Sequence, residues 1–132
     1  MAGETNLQVL ISSMKPVLND GDYVFVTITD IESFDITKMI SFFKEEEGYT
    51  IIIEKKIADE WKLGYNYIAA WITLTVHSSL EAVGLTAAFS KALGNAGISC
   101  NVVAAYNHDH IFVEKKNGEK AMEVLKNLTE NK

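Results

Sequence analysis

The chain has 132 residues, 48 % of them hydrophobic, and a formal charge of −6 from twelve cationic and eighteen anionic side chains. All twelve cations are lysines, so the guanidinium fork that clamps phosphates is missing, and an acidic chain of this kind excludes nucleic acid and other polyanions as partners. The apolar content excludes disorder as the main state and allows a packed core in one domain or two very small ones.

Cys100 is the single cysteine, so no intrachain disulfide can form, and the stretch MAGETNLQVL lacks the basic, apolar and small-residue order of a secretory signal. Both features lead us to expect a cytoplasmic protein. The uncharged run from Leu63 to Leu80 contains Asn66, Thr73, Thr75 and His77 and alternates like a strand, so no membrane span is expected. Residues 1–64 carry six lysines against twelve acids and residues 65–132 six against six, a break that suggests two subdomains meeting near Gly64.

In chain order, Thr5 and Gln8 form a weak capping box before Leu7, Leu10, Ile11 and Met14 at helical spacing, with Pro16 as a stop. Asn19-Asp20-Gly21-Asp22 reads as a turn and Tyr23–Thr29 as a strand. Asp35 then caps a predicted helix with the stripe Ile36, Met39, Ile40 and Phe43, stopped at Gly48. Its Glu45-Glu46-Glu47 end reads as a solvated face. Thr50–Glu54 is expected as a short buried strand.

From Tyr67 to His77 the alternation is strict, with Ile68, Ala70, Ile72, Leu74 and Val76 on one face and Trp71, Thr73, Thr75 and His77 among those on the other. The second face, part aromatic and part hydroxyl, suits a surface covered by another sheet or subunit. Leu85, Ala88, Phe89, Ala92, Leu93 and Ala96 mark a helix stripe, and Asn95-Ala96-Gly97 its end. Ile98–Tyr106 and Asp109–Glu114 read as a hairpin turning at Asn107-His108, and a last helix carries Ala121, Val124, Leu125 and Leu128. The second half is therefore β-α-β-β-α, one strand short of the βαββαβ ferredoxin-like unit. A strand from the first half, Tyr23–Thr29 or Thr50–Glu54, is expected to fill the vacancy.

Leu80-Glu81-Ala82-Val83-Gly84-Leu85, an apolar helix, Ala96-Gly97-Ile98-Ser99 and Asp109-His110-Ile111-Phe112-Val113 in this order resemble the ACT domain, an amino-acid-sensing regulatory module. The first half, with Met14-Lys15-Pro16-Val17-Leu18 and Tyr23-Val24-Phe25, resembles the partner half of small bacterial proteins made of two such units, similar to the paired ACT modules of CASTOR-type arginine sensors. The resemblance implies an α+β, ferredoxin-like βαββαβ sandwich in two subdomains, residues 1–64 and 65–132, with antiparallel sheets and helices on one face. It also implies a ligand site at Ser78, Ser79, Val83, Gly84 and Leu85, with Asn101 on the adjacent strand. A helix beginning near Gly84 would offer unpaired N–H groups and a positive dipole end to an α-carboxylate. Asn101, Asp109 or Glu81 could accept from an α-ammonium.

His108 and His110 could share a strand face, yet no third ligand stands at metal spacing and hairpin tips are commonly polar, so no metal is expected. Cys100 alternates with Ile98 and Val102 and faces inward, without a base to make it a nucleophile. No phosphate loop, nucleotide fingerprint or catalytic carboxylate pair is readable. The expectation is a non-catalytic sensor that binds an amino acid or similar small ligand as a homodimer without a cofactor. The rival is an adaptor of the same fold with no ligand.

Overall fold

The computed structural model describes residues 6–75 and 83–130. It divides into two compact units, residues 1–20 with 70–132 and residues 21–69, rather than at Gly64. The strand β1, Lys15–Ile28, is the reason: its first six residues pair in one unit and the rest in the other. Asn19-Asp20-Gly21-Asp22 is thus not a turn. Gly21, at φ +109°, carries the chain onward in a conformation that a side chain would strain.

In the first unit, α1 (Leu7–Ser13) is capped by Asn6, whose side chain accepts from the Val9 N–H at 3.2 Å. Asn6 is the N-cap; the Thr5 of the expected capping box lies outside the described residues. The strands β4 (Ile68–Thr75), β5 (Asn101–Ala104) and β6 (Asp109–Glu114) join β1 in the order β1-β4-β6-β5. This is the ferredoxin-like order with the fourth strand supplied from earlier in the chain. The vacancy is filled by the Lys15–Asp20 end of β1, upstream of the expected segments. Thr75 donates its hydroxyl to the Lys15 carbonyl at 2.8 Å and Asn19 its amide to the Trp71 carbonyl at 3.1 Å, which pins β1 along β4.

The helices α3 (Leu85–Asn95) and α4 (Gly118–Glu130) follow the predicted stripes, and they build one core with α1 and the sheet. Leu85, Phe89 and Leu93 from α3 meet Ala70, Ile72 and Leu74 from β4, Ile111 and Val113 from β6, and Ala121 and Leu125 from α4. Each larger buried side chain stabilises the fold by roughly 1.5–3 kcal/mol before entropy.

The second unit has the strand order β2-β3-β1, with β2 at Ser41–Glu45 and β3 at Gly48–Glu54. The predicted helix from Asp35 is replaced by a 3-10 turn at Ile36–Lys38 and by β2. Asp35 does cap, accepting from the Thr37 N–H at 3.0 Å. Its carboxyl is held below the usual range by the Thr37 hydroxyl and then the Thr37 N–H. Ser41, Phe42 and Phe43, however, pair with Ile52, Ile51 and Thr50, and that ladder outweighs the helical spacing of Met39, Ile40 and Phe43. The short helix α2 (Lys55–Glu60) had no apolar stripe to announce it. Val24, Val26, Ile28, Ile51, Ile53 and Ala58 form this unit's core.

Candidate functional site

The helix α3 opens at Gly84, which sits at φ +98° and ψ −15°. The N-cap residue Gly84 makes no side-chain cap bond, and Ala88 N–H bonds the Gly84 carbonyl at 2.9 Å as the first full helical turn closes. The earlier N–H groups of the turn are therefore the positive end of an eleven-residue helix. A Cβ on Gly84 would come within 3.1 Å of Leu7 Cδ2, so α1 is packed against the place where only glycine fits. Val83 is 83 % exposed and Leu85 is buried in the core. From Leu85, then, only the main-chain N–H can face a ligand. Ser78 and Ser79, like Glu81, lie outside the described residues.

The β5–β6 register separates two of the three expected acceptors, Asn101 and Asp109. Asn101 pairs with Phe112 and Ala104 with Asp109, so Asn101 shares a face with Phe112 and His110, and Asp109 shares one with the core residues Ile111 and Val113. Asn101 donates its amide to the Phe112 carbonyl at 3.2 Å. Asp109, at 8 % exposure, is the buried acidic or polar side chain among the described residues. Burial pushes its carboxyl above the ordinary range, with His110 pulling the other way. The side that carries the α3 N-terminus thus holds Gly84, Leu85 and Asp109 but not Asn101.

On the opposite face, residues expected to be covered by another sheet or subunit are joined to one another within the unit. Trp71 Nε1–H donates to His110 Nδ1 at 3.0 Å, and Thr73 Oγ1 lies 3.2 Å from the same nitrogen. Trp71 also stacks on Phe112 at 6.0 Å between ring centroids. Trp71 and His110 are each conspicuous in the sequence, but only the strand register joins them. The Cys100 thiol is part-buried, and burial pushes its pKa up, away from a reactive thiolate.

The second unit holds a cavity of about 290 Å³ lined by Gly21, Asp22, Glu54, Lys55, Lys56 and Asp59. Its charges are largely matched to one another. Lys55 and Asp59 pair at 3.0 Å, Tyr65 donates to Asp59 at 2.7 Å, and Lys56 lies 3.3 Å from Glu54. The Tyr65 bond, followed by that from Lys55, holds the Asp59 carboxyl below its usual range. This cavity was not foreseeable, because α2, which supplies half of its lining, carries no apolar stripe to mark it.

Two sequence models, both of the ACT domain, match residues 2–70 and residues 67–127. The chain belongs to the ACT-domain family. Its paired ACT units are similar in structure to a Vibrio cholerae protein of unknown function, described as a possible transport protein. That likeness has a TM-score of 0.84 at 44 % identity and covers 95 % of this chain and 97 % of that one. The ACT fold is shared with an Agobacterium tumefaciens protein at a TM-score of 0.67, 16 % identity, and coverage of 88 % and 89 %. It is shared too with the ligand-free regulatory subunit of Thermus thermophilus aspartate kinase at 0.63, 11 % identity, and coverage of 89 % and 98 %. None of the curated proteins matches the sequence. Among the described residues, no helix is long and apolar enough to cross a membrane.

Proposed function

We propose that this ACT chain is a non-catalytic, cytoplasmic regulatory protein that binds an amino acid or a similar small zwitterion at the start of α3 and works as a homodimer. The observation that carries the reading is an α3 N-terminus that begins at a glycine, which makes no side-chain cap bond, on the same side of the sheet as a buried Asp109. A ligand α-carboxylate takes the N–H groups of Gly84 and Leu85, as it must in a chain without arginine. Ser78 and Ser79 contribute hydroxyls, and the α-ammonium pairs with Asp109. Val83 borders the site, and Asn101, on the other face, does not serve as the acceptor.

A ligand-free adaptor is the second reading. It is favoured by the fact that Gly84 and Leu85 have complete structural roles, one in the left-handed conformation against Leu7 and the other in the core. A thermal-shift screen of the twenty amino acids separates the two. A ligand at 100 times its dissociation constant adds about 2.7 kcal/mol to the folded state, and a shift with one amino acid or a related group supports the sensor. No shift with any of them supports the adaptor.

A further inference from the structure

Val83 is the most exposed large apolar side chain among the described residues, and it stands immediately before the left-handed Gly84 at the start of α3. Leu7 reaches the same place from α1. Its Cδ2, Cδ1 and Cγ lie 3.1, 3.6 and 3.9 Å from where a Cβ on Gly84 would be, and it is only partly buried. Two aliphatic side chains from separate elements therefore adjoin the N–H groups at the start of α3, and covering them with an apolar group releases water from their surface.

The same elements carry no charge. α1 has no ionisable side chain, and α3 has none before Lys91 in its second turn. Lys15 opens β1, but it has the parity of Asn19, whose amide reaches Thr73 on the outer face. Leu18, of the other parity, packs into the core, so Lys15 stands on the face away from the helices. The polar side chains along α1 are also engaged: Asn6 accepts from the Val9 N–H, and Ser12 and Ser13 donate to the Gln8 and Val9 carbonyls at 2.9 and 2.6 Å. Asp109 is more than nine-tenths buried, and among the described residues none hydrogen-bonds its carboxyl.

We propose that Val83 and Leu7 select the ligand of the α3 site, and that this ligand is an amino acid with an uncharged, apolar side chain. The inference rests on the site proposed above and names the class it takes. With the α-carboxylate on the Gly84 and Leu85 N–H groups and the α-ammonium on Asp109, the ligand side chain lies against Val83 and Leu7. A second charge on that side chain would leave water with no partner on α1 or the first turn of α3. A hydroxyl gains little there, because Ser12 and Ser13 are already bonded within α1. Each methylene laid on the two aliphatic residues, by contrast, tightens binding by about fourfold.

The test is titration calorimetry of the full chain with L-valine, L-leucine, L-methionine and L-phenylalanine against L-alanine, L-serine, L-lysine and L-aspartate. At least one of the first four should bind about tenfold or more tighter than every one of the second four. Val83→Ala removes two methyl groups from an exposed position, so its melting should match the parent while the affinity ratio of that apolar ligand to alanine falls by about fourfold or more. A structural role for Val83 would leave that ratio unmoved. Tightest binding by alanine, serine, lysine or aspartate would overturn the apolar class and leave the α3 site standing. A ratio unchanged in Val83→Ala would overturn Val83 as the selecting surface. Binding by none of the eight would overturn the proposal, and the thermal-shift screen of all twenty then decides whether the site falls with it.

Discussion

The indole N–H of Trp71 donates to His110 Nδ1 at 3.0 Å, and because indole nitrogen can only donate, Nδ1 must accept. His110 is therefore the neutral ring with its proton on Nε2. The Asn19 amide donates to Thr73 Oγ1 at 3.0 Å, which leaves the Thr73 hydroxyl proton free to point at the same Nδ1. A proton on Nδ1 would break the Trp71 bond.

This arrangement sets a pH dependence. Burial, followed by the neighbouring His108, pushes the His110 pKa below its ordinary 6.5, while Asp109 opposes them. The unfolded chain therefore binds this proton more readily than the folded one. The contribution of neutral His110 is complete above pH 6.5 and is lost as pH falls through the folded pKa. The melting temperature should drop between pH 7 and pH 5, with a parallel change in Trp71 fluorescence. His110→Gln keeps an acceptor for Trp71 but does not titrate, and its melting curve should be flatter over that interval.

Asp109 works in the opposite sense. Its raised pKa means that the ionised carboxylate is disfavoured in the fold, so stability is lost as pH rises through the folded pKa. Asp109→Asn should melt higher than the parent at pH 7, and the gain should fade on acidification toward pH 4. If Asp109 holds a ligand ammonium, the same variant loses the ligand-induced thermal shift. Gained stability with lost response is the pattern of a residue kept for function.

Gly84→Ala should destabilise the fold by about 1–3 kcal/mol, because the residue sits at φ +98° and its new Cβ meets Leu7 at 3.1 Å. Leu7→Ala in the same chain removes the steric contact but not the backbone strain. The double variant should recover only part of the loss, as a double-mutant cycle by chemical denaturation would show.

The second half was legible because its signals are local. β4 alternates strictly, α3 keeps its stripe, and Ala105 N–H closes the β5–β6 turn on the His108 carbonyl at 3.1 Å, close to where Asn107-His108 marked it. The first half was not, because its structure depends on distant pairing. Phe42 and Phe43 take strand geometry from Ile51 and Thr50, and the Lys15–Asp20 stretch follows Trp71–Thr75, more than fifty residues away. At the site, the opposite faces of Asn101 and Asp109 were within reach of parity: Cys100 and Val102 inward put Asn101 outward, and Ile111 and Val113 inward put Asp109 inward. The bond between Trp71 and His110 was not within reach, since it depends on how β6 aligns with β4.

Ligand binding at the start of α3 is tested most directly by titrating the ¹⁵N-labelled full chain with each of the twenty amino acids and following the amide chemical shifts. We expect one amino acid, or a few of related structure, to move the Gly84, Leu85 and Thr86 amides along a saturating curve, and Asp109→Asn to abolish the movement. Unchanged α3 amides across the whole series, or shifts confined to Gly21, Asp22 and the start of α2, would contradict it.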